Sequence, residues 1–403
     1  MRLRTFEPFG LLKNGILYSY PSLQKNVDSE IAVIGGGITG ALTSHALVEK
    51  GYKVVLVDKR DIGMGSTAAT TSMLQYEIDV PLYQLAEMIG EEAAVACYRA
   101  GIAAIHNLKT LVDELNLDCG YQEKQSLYIA YNKKSVRWLK KEFQIREKHN
   151  LGVRWLAAKT ILEEYGLKAY GGILSQIAGS VDAYKLAHEL IHYNVQRGLQ
   201  VYDQTEITKY DFDAADYVLL TTETNSNIRC SKVIFCSGFE TTQLLKEKLA
   251  TLFYTYVSVS EEHIVINKKL KDTLVWDTDD PYYYMRTTDD GRLLIGGEDS
   301  SANIPFFQQR IKERKAKKLK KKIEKILPGI NFIDDFNWGG TFGSTHDGLP
   351  YIGESPEYKN AFFVLCFGGN GITFSVQAMH IIPDLLQQKE NPLAYYYRFG
   401  RNE

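Results

Sequence analysis

The chain of 403 residues has little cysteine, no long apolar run and almost no net charge. Its five cysteines, Cys97, Cys119, Cys230, Cys236 and Cys366, are scattered, with no C-x-x-C pair. Such spacing argues against a disulfide scaffold or a cysteine-built zinc site and suits reduced thiols in a cytoplasm. No stretch reaches the roughly 18 apolar residues that read as a membrane-spanning helix. Residues 1–29 carry Arg2, Arg4, Glu7 and Lys13 without the apolar core of a secretory signal, so none is expected. A net charge of −2, from 47 Lys+Arg and 49 Asp+Glu, gives no electrostatic case for nucleic acid or an anionic membrane. Repeats and low-complexity segments are absent too. What remains is 45% hydrophobic and 24% charged, an ordinary globular composition long enough for two domains.

Against that plain background one motif stands out. Ile31-Ala-Val-Ile-Gly35-Gly-Gly37-Ile38-Thr39-Gly40 is an apolar run followed by G-x-G-x-x-G, and Val54-Val-Leu-Val-Asp58 follows it. The order predicts a buried parallel strand, a tight turn, a helix and a second strand ending in an acid, which is the pattern of a dinucleotide cradle. Phosphates would rest on free N–H groups at the helix N-terminus. Asp58, close to the usual offset of about 20 residues, would accept the ribose hydroxyls and repel a 2′-phosphate, which disfavours NADP. Lys59 and Arg60 adjoin this end of the cradle.

Further along, residues 81–117 have a helical apolar stripe, 125–130 read as a strand, and 136–148 as a charged amphipathic helix. Gly179-Ser-Val-Asp182 precedes a helix to about Gln196, and residues 199–237 read as short strands, the last returning to the nucleotide-binding sheet. Residues 254–267 and 273–297 alternate as an antiparallel meander with an Asp289-Asp290-Gly291 turn, which places Tyr282, Tyr284 and Arg286 on one face. The lysine-rich run 310–325 keeps Ile311, Leu319, Ile323 and Ile326 on one stripe, so a solvated amphipathic helix is expected.

Two more glycine-rich segments join the first. Gly63-Met-Gly65-Ser66-Thr67-Ala68-Ala69-Thr70-Thr71 offers small and hydroxylated residues to a ribityl-phosphate chain. Residues 362–373 end in Gly368-Gly369-Asn370-Gly371-Ile372-Thr373, a turn and a new helix. That helix N-terminus would favour negative charge on a reduced flavin ring. Together the three segments favour FAD over NAD. One rival pattern, His188-Glu-Leu-Ile-His192, has the H-E-x-x-H spacing of zinc peptidases, but a third ligand at the usual spacing is missing and no metal is expected.

In joint order these segments resemble the D-amino-acid oxidase and glycine oxidase family of FAD-dependent oxidoreductases, in particular its sarcosine oxidase and gamma-glutamylputrescine oxidase branches. The resemblance includes Cys236-Ser-Gly238, residues 291–297, and Trp338-Gly-Gly-Thr-Phe-Gly343-Ser-Thr-His346-Asp347-Gly-Leu-Pro350-Tyr-Ile-Gly353. It implies an α/β and α+β fold, with a Rossmann-like FAD-binding domain interleaved with an antiparallel β-sheet substrate domain. Residues 1–80, 150–245 and 336–403 are expected in the first domain, and 81–149 and 246–335 in the second. It also implies oxidation of a C–N bond, by hydride transfer from an amine or amino-acid derivative to flavin N5, with oxygen or another electron acceptor taking the electrons.

Departures from the pattern narrow the reading. Where glycine-oxidase-like members carry an arginine for the substrate carboxylate, this chain offers Phe342. Where sarcosine-oxidase relatives keep a lysine near flavin N5, it offers Leu293 and Leu294, so the acceptor stays open between oxygen and another molecule. No cysteine falls in 338–350 and no histidine in 63–72, where covalent members attach the flavin, so non-covalent FAD is expected. Tyr256, Tyr284, Arg286 and His346 are the candidate catalytic residues. Tyr76 joins Tyr256 and Tyr284 as a possible aromatic cage for a cationic amine. Gln75, Glu77 and Asp79 are candidates to read that amine. A non-catalytic dinucleotide-binding protein is the alternative from another class.

Overall fold

The structure is a computed structural model and describes residues 4–5, 7–212, 216–262, 264–301, 308–365 and 368–401, with the side chains of 308–310 left aside. Cys366, one of the five scattered cysteines named above, lies outside the described residues. Two sheets account for the architecture. The first has eight strands, five of them parallel in the order Ala361–Leu365, Asn227–Phe235, Val27–Ile34, Val54–Val57, Gln200–Tyr202. Every residue of Val54–Val57 is buried, as expected where helices and loops cover both faces. Tyr351–Glu354 and the hairpin Ile207–Asp211/Val218–Thr222 extend the sheet antiparallel.

The glycine turn leads directly into helix Ile38–Glu49, which packs between helices Ala183–Val195 and Gly371–Leu386 on one face of the sheet. The close approach is built from missing side chains. A Cβ on Gly40 would stand 1.8 Å from the Gly35 carbonyl oxygen, so nothing larger than glycine fits this helix against its strand. Helix Ala183–Val195 begins where its sequence predicts, with the Asp182 carboxylate accepting from the Lys185 amide at 3.0 Å.

The second sheet has ten strands. Its pairings are antiparallel except that Thr273–Asp277 runs parallel to Gln122–Ile129. Sheet membership departs from the expected domain boundaries. Val153–Leu156 and Gly172–Ser180, expected with the nucleotide-binding unit, pair instead with each other and, through the latter, with Gln122–Ile129. Most of Asp334–Ser344, also expected there, pairs with Thr251–Ser260. Such pairings join segments tens to hundreds of residues apart, which local periodicity does not specify. Helix Gln308–Ile326 covers the outer face of this sheet, with Leu319, Ile323 and Ile326 buried as expected. Among the described residues no helix is long and apolar enough to cross a membrane.

Candidate active site

The carboxyl ends of three adjacent parallel strands, at Ile34, Val57 and Cys236, open into a cavity of about 970 Å³ that reaches the inner face of the second sheet. Ligands of open parallel sheets sit in this crevice, where the strand order reverses. At its near end the turn is packed too tightly for side chains. A Cβ on Gly35 would meet the Cys236 carbonyl at 2.7 Å, and one on Gly37 would meet Thr67 Oγ1 at 2.8 Å. Thr67 Oγ1 accepts from the Ile38 amide at 2.9 Å, tying the second glycine segment to the first. Gly37 at the helix N-cap has no side chain to offer its first turn, and Gly37, Ile38 and Thr39 line the cavity. Helix Gly371–Leu386 likewise has no side-chain cap, and Asn370 Nδ2 donates to the Gln75 carbonyl at 2.9 Å. Asp58 Oδ2 accepts from the Gly36 amide at 2.7 Å and Oδ1 from the Arg60 amide at 2.8 Å, leaving its remaining lone pairs for a ligand. Burial pushes the Asp58 carboxyl up against those two amides. Arg60 grips Glu240 through two bonds of 2.9 Å, and Lys59 approaches it at 3.1 Å.

The far end is roofed by the second sheet. Thr255, Tyr282, Tyr284, Thr341 and Phe342 project into it. Asp299 stands behind Thr255, and burial lifts its carboxyl to about 6. From the loop after the second glycine segment come Gln75, Glu77 and Asp79, and Asp79 Oδ2 accepts from the Gly369 amide at 2.9 Å. Behind Glu77 lies Arg146, fully buried, with Nε 2.6 Å from Glu142 Oε1 and a terminal nitrogen 3.4 Å from Glu77 Oε1. The Trp338 indole donates to the Ala69 carbonyl at 2.9 Å and fixes the roof on the second glycine segment.

These residues fit FAD. The glycine cradle, the two open helix N-termini, the acid at the end of the second strand and a space near the upper end of the ordinary 300–1,000 Å³ range all lie on one cavity. Residues 30–381 match the model of the DAO family, described as FAD dependent oxidoreductase. The chain belongs to this family. A glycine oxidase of Geobacillus kaustophilus is 25% identical over 90% of this chain and 93% of its own length. A protein of Bacillus subtilis described as a Rieske 2Fe-2S iron-sulfur protein is 25% identical over 93% of this chain and 72% of its own. Among solved structures, glycine oxidase from Geobacillus kaustophilus superposes with a TM-score of 0.76 at 21% identity, covering 93% of this chain and 99% of that one. The cofactor of this oxidoreductase is therefore FAD.

Within this FAD-dependent oxidoreductase most residues expected at the cofactor come together. Gly35, Gly37, Ile38, Thr39, Asp58, Lys59, Arg60, Gly65, Ser66, Thr67, Thr70, Thr71, Cys236, Gly238, Gly368, Gly369, Asn370, Gly371 and Ile372 all line the cavity. Four do not. Gly40 sits one layer back under the turn, and Ala68 packs with Leu11 and Tyr184. Thr373 donates its hydroxyl to the Asn370 carbonyl, and the Gly343 carbonyl accepts from the Gly368 amide at 2.7 Å.

Of the expected catalytic residues, only Tyr284 lines the cavity. Tyr256 is on the outer face, 5.2 Å below the Lys315 ammonium, because alternation gives the inner face to Thr255. Arg286 lies on the inner face beside a separate small pocket, where its guanidinium donates to the Thr71 and Thr287 carbonyls at 2.6 and 3.0 Å. Burial pushes it down to about 10. His346 is exposed outside the cavity. Tyr76 is buried with its hydroxyl on the Leu151 carbonyl. Leu293 and Leu294 belong to apolar clusters on either side of the sheet. His188 is enclosed and pushed down to about 4 by burial, and the described residues hold no group of three or more metal-ligating side chains. Sequence reasoning missed Tyr128, Trp138, Trp276 and Asp277 to Asp280, which line the far end from strands and loops distant in the chain.

Proposed function

We propose that this protein oxidises the C–N bond of a small amine in the cavity beneath Thr255, Tyr282 and Tyr284. The observation that carries the reading is Phe342, stacked on Phe253 at 5.7 Å and facing the cavity where an amino-acid oxidase of this family would present an arginine. Bound FAD supplies the two-electron acceptor. The substrate, reacting as the neutral amine, gives up a hydride from the carbon bearing nitrogen; the nitrogen lone pair forms the C=N bond, and loss of the N–H proton leaves the imine. Water then hydrolyses the imine to a carbonyl compound and a free amine. The chain's own contribution is orientation and exclusion of water: Tyr284 and Thr255, 3.4 Å apart, form a fixed polar pair on the roof, and Phe342 gives an apolar wall.

FAD binding is non-covalent, the protein is cytoplasmic, and the substrate is a free small molecule. Acceptance of electrons by a carrier other than oxygen is favoured by one observation: the only lysine among the described lining residues is Lys59, at the nucleotide end and engaged with Glu240. An anaerobic screen of amino acids, N-methylated amines and diamines for bleaching of the FAD absorbance tests the reading. Bleaching by an amine, followed by slow recovery in air and fast recovery with a quinone or an iron–sulfur protein, is expected. Bleaching by NADH or NADPH and by no amine would replace the proposal with a reductase.

A further inference from the structure

The far end of the cavity has a charge pattern that the oxidation of a simple amine does not require. Glu77, Asp79, Asp277, Asp279 and Asp280 line it, while the lining cations, Lys59 and Arg60, are both at the nucleotide end and held by Glu240. Two buried cations stand behind these acids, and each is shared. Arg146 serves Glu77 and Glu142, and Lys322 lies 2.9 Å from Asp277 and 2.7 Å from Asp279. Asp79 has no cationic partner among the described residues. Its one hydrogen bond comes from the Gly369 amide, and its carboxylate is open to the cavity. Asp280 is exposed at the mouth. The enclosed position of Asp79 in the cavity wall and the burial of Asp277 raise both carboxyls from their ordinary range, and a cation placed beside either would oppose that shift.

The same stretch is aromatic. Trp276 stacks on Tyr128 with centroids 3.5 Å apart and planes within 5°, held by an indole bond to Ser126 Oγ at 3.2 Å. Tyr282 stands 5.9 Å from Tyr284 and lines the path between roof and mouth. Ring faces and carboxylates both attract ammonium groups, and both disfavour a substrate carboxylate.

We propose that the substrate is an alkyl diamine or longer polyamine, with one nitrogen at the roof and a second, charged nitrogen held by Asp79 and Asp279 against Trp276 and Tyr282. This rests on the amine-oxidation reading and adds the second charge. The reacting nitrogen must lose its proton, whereas the distal one stays charged and supplies affinity.

The test separates binding from turnover. Tetramethylammonium and 1,4-bis(trimethylammonio)butane have no nitrogen lone pair and cannot be oxidised by hydride loss. Each is titrated into the FAD-loaded protein by calorimetry and by perturbation of the flavin spectrum. The dication is expected to bind about ten-fold tighter or more, a ratio within reach of one ion pair plus a cation–π contact. Asp79→Asn and Asp279→Asn should each erase most of that ratio. Because Asp79 also holds the Gly369 amide, Asp280→Asn at the mouth is the companion variant, and it should lower the ratio without altering FAD content. Equal binding of the two cations, or a ratio that survives all three substitutions, would overturn the inference while leaving amine oxidation standing if any amine bleaches the flavin. A preference for the dication with no bleaching by any amine would do the reverse.

Discussion

Replacing Arg146 by methionine keeps the long apolar stem and removes the charge from the most enclosed ion cluster among the described residues. Arg146 and Glu142 are 0% exposed and Glu77 is 2% exposed at the side chain. Glu142 also accepts from the Leu82 and Tyr83 amides, both at 3.0 Å, and so starts helix Leu82–Ile89. Without the guanidinium, two carboxyls remain buried with no cation beside them. Breaking a buried pair in this way costs about 3–5 kcal/mol. The two amide donors left on Glu142 place the expected loss near the lower end, about 3 kcal/mol. The sign with pH follows from burial, which already raises the Glu77 carboxyl and is opposed by Arg146. In the variant that opposition is gone, so the folded Glu77 carboxyl lies further above the unfolded value of about 4.3. It then destabilises the fold at pH above that value, and the deficit shrinks as pH falls towards it. Urea midpoints of the FAD-free protein at acid and mildly alkaline pH measure this directly. Adding Glu77→Gln should destabilise the wild type but stabilise the Arg146→Met variant, because there it removes repulsion between two buried acids. A loss below about 1 kcal/mol that is the same at both pH values would refute the reasoning.

Other outcomes follow from the same geometry. Gly40→Ala places a Cβ 1.8 Å from the Gly35 carbonyl, so the helix must move off its strand. A loss of about 1–3 kcal/mol is expected in thermal unfolding, with weaker FAD binding, whereas an unchanged melting temperature would contradict the packing. Arg401 holds the buried Asp347 carboxylate through bonds of 2.7 and 2.9 Å and keeps it below its ordinary range although burial opposes this. Arg401→Ala should cost about 3 kcal/mol near neutrality. Because the folded carboxyl is depressed, the difference from wild type must shrink as pH falls through that lowered range, and a constant difference would count against the pair. Phe342→Arg introduces a cation into the cavity wall. Flavin reduction by amino acids is expected to rise by about ten-fold or more relative to amines, and no change would place the carboxylate position elsewhere.

The cofactor half of the site was legible because its signals are local. The strand, the three glycines of the turn and Asp58 lie within 28 residues, and each reports backbone geometry or the end of a strand. The second and third glycine segments were legible for the same reason, and they meet the first through single contacts such as Ile38 to Thr67. The substrate half was less legible because it is made by pairing across the chain. Trp276 meets Tyr128 only because Thr273–Asp277 pairs parallel with Gln122–Ile129. Alternation showed that Tyr256 and Thr255 face opposite ways but carried no sign of which side is inward, since both positions hold residues tolerated on either face. Tyr76 shows the limit of composition: a tyrosine next to two acids looks ready for a ligand, yet its ring is 1% exposed and its hydroxyl satisfied by backbone.

The central claim is that the cavity under the glycine turn is a FAD site. Titration of the FAD-free protein with FAD, NAD and NADP, followed by calorimetry and by the flavin spectrum, tests it most directly. The account predicts one FAD bound per chain, NADP excluded by Asp58, and FAD binding lost in Gly37→Val with the fold retained, since the added side chain would meet Thr67. A natively folded protein that binds no FAD, or a Gly37→Val variant that binds it as well as the wild type, would contradict it.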